Sequence, residues 1–287
     1  MGAKSKIDWT DATWNPVRGC TKVSTGCKNC YAERLAARFC GEGQPYYGTI
    51  TNGKWNGALR VVEHKALTQP IRWRRQRKIF VNSMSDLFHE GMDDRFIDEI
   101  YAVMLICAHH ERPRGHIFQV LTKRAKRMHD YLSNPELHKR LAVAAGELME
   151  DGDRWHDQFY YNLNGVVAHP SIWIGVTVEN QDVAHERMPA LIATPAAVKF
   201  VSCEPLLGCM SLAQWMRHID WVIAGCESGP GRRLAETEWF RVLRDQCRPH
   251  GVPFFIKQME NDFTYRVEKL PELDGVQWAQ FPDENWE

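Results

Sequence analysis

The sequence predicts an α/β chain folded as a full or partial (β/α) barrel of about seven mainly parallel strands. Short apolar runs recur along the chain, most of them followed by a polar turn and then a helical pattern. These runs are nearly continuous in apolar residues, as in strands buried on both faces, which belong to parallel sheets covered by helices. With 287 residues, 44% hydrophobic and 25% charged, the chain has the core material of a globular enzyme of that size.

Ile7 to Arg18, with Trp9, Trp14 and Pro16, reads as an extended lead-in and the first strand. A cysteine loop follows, and then Tyr31 to Phe39 (YAERLAARF), whose Leu35, Ala36 and Phe39 predict one apolar helix face. Gly41 to Asn56 reads as a loop, and Arg72 to Lys78 as a basic run around Trp73. Six apolar runs predict the remaining strands: Lys78 to Ser83, His116 to Leu121, Ser171 to Val178, Val198 to Ser202, Asp220 to Ala224 and Pro253 to Lys257. Helical patterns fall at Phe96 to His109, Lys126 to Leu132, Pro135 to Met149, Ala184 to Ile192 and Glu236 to Arg248. We expect one domain over 1–260 with an insertion near 150–166, and 261–287 as a C-terminal extension. A doubly wound open sheet is the alternative, because a strand count does not settle closure.

Net charge is zero, with 36 residues of each sign, so contact with nucleic acid has to come from local patches. No apolar run reaches the roughly 18 residues of a membrane span, and Met1 to Asp8 lacks the apolar centre of a signal peptide. Nine cysteines with no export signal point to a reducing compartment, and we expect a cytoplasmic protein.

Cys20, Cys27 and Cys30 stand at Cys-x6-Cys-x2-Cys spacing, so three thiols can converge on one metal centre. A structural zinc site takes four protein ligands, whereas three ligands leave a coordination position open for chemistry. In α/β sheets the active site forms beyond the C-terminal ends of the strands, and here those ends are polar. They carry Ser83, Ser85, Asp86, His89 and Glu90; Thr122, Lys123 and Arg124; Glu179, Asn180 and Gln181; Glu204; Glu227, Ser228, Arg232 and Arg233; and Lys257 and Gln258. One such residue is an ordinary helix cap, but six strand ends of this kind predict a converging polar site. The turn Gly225 to Gly231 reads either as an anion cradle or as a tight turn forced by glycine. His-Glu-x-x-His and Gly-x-Ser-x-Gly are both missing from the sequence.

Three cysteines before the first helix of a β/α barrel, with polar strand ends, resemble the radical S-adenosylmethionine (radical SAM) enzymes. The common spacing there is Cys-x3-Cys-x2-Cys with an aromatic before the last cysteine; here the first gap is longer, Asn29 holds that place and Tyr31 follows. Over nearly its whole length the chain is also similar to an uncharacterised phage and prophage family, through WNP-x-x-GC, CKNCYAER, VNSMSDLFHE, LTKR, CEPLL, ESGPG-x-R and FFIKQ. The radical SAM resemblance implies a 4Fe-4S cluster on Cys20, Cys27 and Cys30 and S-adenosyl-L-methionine on the open iron. The cluster's electron would generate a 5′-deoxyadenosyl radical that abstracts substrate hydrogen. It also implies an electron donor such as flavodoxin or ferredoxin.

By position, the resemblance gives Ser83, Ser85 or Asp86 the methionine amino group, Lys123 or Arg124 its carboxylate, and Glu179 the ribose hydroxyls. Glu204, Glu227 and Lys257 are left for catalysis, and Arg232 and Gln258 for substrate. Phage-type relatives suggest a nucleobase, nucleotide or nucleic acid as substrate, with no membrane. The alternatives are a zinc-stabilised nucleic-acid-binding protein with Cys40 or a distant residue as fourth ligand, and a metal-dependent nuclease using Asp86, Glu179, Glu204 and Glu227.

Overall fold

A computed structural model of the chain describes residues 5–109, 115–148 and 168–282. The insertion expected near 150–166 lies outside the described residues. Seven strands run parallel and neighbour one another in chain order: β1 (Ala12–Trp14), β2 (Lys78–Val81), β3 (Ile117–Thr122), β4 (Ile172–Thr177), β5 (Val198–Cys203), β6 (Trp221–Gly225) and β7 (Phe254–Glu260). An eighth, β8 (Val267–Lys269), pairs antiparallel with the end of β7. All six apolar runs and the lead-in are therefore strands of one sheet. β1 and β7 do not pair, so the barrel is partial, a curled half-barrel.

Alternation along the strands sorts the side chains into two layers. Outward residues such as Ile79, Val81, Phe118, Val120, Ile174, Val201 and Ile256 join the main core. There they pack against α2 (Asp94–His109), α3 (Ala125–Leu132), α4 (Leu137–Leu148), α5 (Gln181–Ala193) and α6 (Thr237–Cys247). Inward residues form a second cluster of Trp9, Phe80, Trp173, Phe200, Trp221 and Phe255. The curl is visible in the contact between Trp9, beside β1, and Trp221 of β6, whose rings stand 6.2 Å apart. Gly175 leaves room for this plug, since a Cβ there would lie 2.6 Å from the Phe200 ring.

The C-terminal residues are more than an extension. Ile256 N–H donates to Trp278 O (2.8 Å), and Trp221 Nε1 donates to Gln280 O (2.9 Å). Together with β8 they cover the edge of β7, whose unpaired backbone groups would otherwise face solvent. Phe281 lies against both Trp221 and Phe255 inside the curl.

The first helix departs from expectation. α1 (Tyr31–Ala36) is six residues long, and its buried face is Ala32, Glu33 and Ala36. Leu35 and Phe39 are 40% and 46% exposed, because the small side chains of Ala32 and Ala36 make the contact with Met84 and Trp55.

Candidate active site

The cysteine loop lies across the mouth of the half-barrel, over the C-terminal ends of the strands. Cys20, Cys27 and Cys30 line one cavity of about 210 Å³ together with Ser83, Ser85, Asp86, Lys123, Arg124, Glu204, Glu227, Lys257 and Gln258. Its floor is the apolar plug, represented by Trp9, Phe80 and Leu121. Of the strand-end residues singled out from the sequence, His89, Glu90, Glu179, Asn180, Gln181, Arg232 and Arg233 do not line this cavity.

Most of the charged strand ends are engaged in bracing the loop. At its first cysteine, Asp86 accepts from Thr122 Oγ1 (2.6 Å), Lys123 N (3.0 Å) and Arg124 Nη1 (2.9 Å). Arg124 then donates Nη2 to Thr21 Oγ1 (2.8 Å) and Nε to Glu90 (2.7 Å), with Nη1 4.0 Å from Cys20 Sγ. His89 Nε2 stands 2.9 Å from the same Thr21 hydroxyl. Gly91 N–H donates to His89 Nδ1, which leaves Nε2 to carry the proton toward Thr21. Burial and then the Arg124 charge hold His89 below the ordinary imidazole pKa, in keeping with this neutral form.

Glu179 provides the second brace. Its buried carboxylate accepts from Lys123 Nζ (2.7 Å) and Ser24 Oγ (2.9 Å), with Arg187 Nη1 at 3.4 Å. Burial alone would raise its pKa, but Lys123 and Arg187 outweigh that and hold it below the usual carboxylate range. Gly26 presses against this group: a Cβ there would stand 2.4 Å from Glu179 Oε1. The ribose contact expected of Glu179 is therefore taken up by protein donors.

The third brace comes from the glycine-rich turn. Glu227 accepts from Asn29 Nδ2 (2.7 Å) and Arg233 N (2.9 Å), Asn29 also donates to Gly231 O (2.9 Å), and Arg233 donates to Thr25 O (3.0 Å). Carbonyls of the turn, Ser228 O and Gly231 O, face the loop and α1 through Arg34 and Asn29. The tight-turn reading thus holds at these positions, in place of an amide cradle. Arg232 turns away to Glu260 at 3.7 Å and to Tyr265 O.

Ser83 and Ser85 donate their hydroxyls to Asn15 Oδ1 (3.1 Å) and Val17 O (2.9 Å), which ties the end of β2 to the first strand. Gln258 Nε2 donates to Cys226 O (2.7 Å). Glu204 and Lys257 differ from the braces, since they pair with each other inside the cavity at 2.9 Å. Sequence reasoning missed the inward residues just below this rim: Asn82, Thr177 and Ser202 all line the cavity. The signal was present as a polar residue at the last inward position of an otherwise apolar run.

Three cysteines on one loop are donors of the kind a thiolate-bound group would take. Three thiols from one braced loop share a wall, and the Arg124 cation stands beside one of them. Burial, then Asp86, push the Cys20 thiol up to about 12 despite Arg124, so a metal has to displace its proton on binding. Among the described residues, no three His, Cys, Asp or Glu side chains are grouped as ligands of one ion. Cys40 is not part of the cavity wall and donates its thiol to Ala37 O.

No curated protein and no solved structure matches the chain. A family model described as "Protein of unknown function (DUF5131)" matches residues 4–282, and over that length the chain belongs to this family.

Proposed function

We propose that the protein is a radical SAM-type iron-sulfur enzyme that modifies a nucleotide or nucleic acid in a reducing cytoplasm. The observation that carries this reading is the shared cavity: Cys20, Cys27 and Cys30 line one pocket with six strand ends of a curled parallel sheet. Cys20, Cys27 and Cys30 would hold a 4Fe-4S cluster, which with S-adenosyl-L-methionine would supply one-electron radical chemistry. The chain's own part is to bind, orient and shield. The three braces fix the loop before any cofactor arrives, which lowers the ordering cost of binding. The aromatic floor excludes water from one side of the cavity. Glu204 Oε1 and Lys257 Nζ, 2.9 Å apart, are a proton acceptor and donor inside the cavity and are assigned to the substrate.

The longer gap between Cys20 and Cys27 has a physical use in this reading. Thr21, Ser24, Thr25 and Gly26 are the residues that meet Arg124, Glu179 and Arg233. The rival readings fit less well. The four carboxylates of a nuclease each already face a cation: Asp86 has Arg124, Glu179 has Lys123, Glu204 has Lys257 and Glu227 has Arg233. The zinc reading loses its nearest fourth ligand with Cys40.

A polymeric substrate would have to meet charge at the mouth, because Arg72 to Lys78 precedes β2 and so lies at the opposite end of the strands. Lys28, Arg38 and Arg266 are exposed, and Phe263 is 93% exposed. The test is anaerobic incubation of purified protein with S-adenosyl-L-methionine and dithionite, followed by chromatography for 5′-deoxyadenosine. Reductant-dependent release is expected, and its absence from iron-loaded protein would sink the proposal. No helix among the described residues is long and apolar enough to cross a membrane.

A further inference from the structure

We infer that Asn82 reads the hydrogen-bonding edge of a nucleobase held over the aromatic floor, an assignment that rests on this cavity being the active site. Asn82 follows β2, and its N–H donates to Trp14 O at 2.8 Å. Its side chain lines the cavity and is 2% exposed, and neither the amide nitrogen nor the amide oxygen has a hydrogen-bond partner. The backbone there is left-handed, with φ 59°. A buried amide with no partner and a left-handed backbone both cost folding energy, and they coincide at one residue on the wall of the site. Strain and an orphaned polar group at such a position serve a ligand rather than the fold.

The surroundings narrow the class of ligand. Among the described residues, the cations that reach the cavity are already neutralised, Lys257 by Glu204, Lys123 by Glu179 and Arg124 by Asp86. A carboxylate or phosphate beside Asn82 would therefore be buried without a free counter-charge. The floor is apolar and aromatic, with Trp9 and Phe80 in tilted contact at 4.7 Å. The matching group is neutral, planar and carries an adjacent donor and acceptor to meet the amide, as the edge of a nucleobase does. Two sources share that chemistry, the adenine of S-adenosyl-L-methionine and the base of the substrate.

The test is calorimetric titration of the iron-loaded protein with adenosine, cytidine, guanosine, uridine and S-adenosylhomocysteine, comparing wild type with Asn82→Gly. Glycine accepts the left-handed backbone and removes only the amide. At least one probe should bind wild type and bind the variant on the order of tenfold more weakly or worse, with iron content unchanged and a melting temperature that does not fall. Loss confined to adenosine and S-adenosylhomocysteine assigns the edge to the cofactor; loss with another nucleoside assigns it to the substrate. Should the glycine variant fail to fold, Asn82→Asp keeps the shape and replaces the amide donor with an acceptor, and the same loss is expected. Equal affinities in wild type and variant, or no binding of any probe to wild type, would overturn the assignment. Asn82-dependent binding by protein that holds no iron would retain Asn82 and remove the iron-sulfur reading. Iron-loaded protein that cleaves S-adenosyl-L-methionine without any dependence of binding on Asn82 would do the reverse.

Discussion

Gly26 shows how closely the cysteine loop is fitted to the strand ends. Any side chain there meets the Glu179 carboxylate at 2.4 Å, and Glu179 is itself fixed by Lys123 and Arg187. Gly26→Ala is expected to cost about 1–3 kcal/mol through overpacking and to reduce bound iron by shifting Cys27; chemical denaturation and metal content measure the two effects. At this scale the sequence was legible in part. The three cysteines, Glu204 and Lys257 were recognised by type and position, and the structure brings them to one cavity. Asn82, Thr177 and Ser202 were not recognised, because a single polar residue ending an apolar run looks the same as the start of a loop. The partners of Asp86 and Glu179 are not legible, since a carboxylate at a strand end does not announce that its cation comes from the neighbouring strand; Glu227 meets its cation, Arg233, within its own turn.

The braces couple one element to the next, so their failure should be cooperative. Glu179→Gln leaves Lys123 and Arg187 beside a neutral amide. Removing one partner strands the other's charge in a buried site, so a loss of about 3 kcal/mol or more is expected. The pH dependence follows from the lowered pKa of Glu179. Its folded-state value lies below the ordinary 4.5, so the stability it contributes is present above that value and is lost as pH falls through the folded value. The difference in unfolding free energy between wild type and variant should therefore shrink in urea titrations below pH 4.5; a difference that stays constant there would contradict the ion-pair role. Helix positions were readable from apolar periodicity, and the ends of α2, α3, α5 and α6 fall within a few residues of expectation. The position of α1 was readable too, but its buried face was not, because that burial is decided by Met84 and Trp55, which are distant in sequence.

At the scale of the molecule, seven parallel strands in chain order were legible from near-continuous apolar runs, and closure was not. Whether β1 meets β7 depends on what covers the β7 edge, and here that is the chain after residue 260. Removing residues 271–287 should expose the backbone of Phe254 and Ile256 and the rings of Trp221 and Phe255. The melting temperature would then fall and the protein would aggregate, as followed by thermal scanning with light scattering. A truncated chain as stable as the full one would show that the edge needs no cover. The central claim is that the braced loop holds an iron-sulfur cluster through three cysteines, and iron and acid-labile sulfide per chain after anaerobic reconstitution measure it most directly. About four of each are predicted for wild type, with loss of both in Cys20→Ala, Cys27→Ala and Cys30→Ala; one zinc per chain without sulfide, or full iron in the cysteine variants, would contradict it.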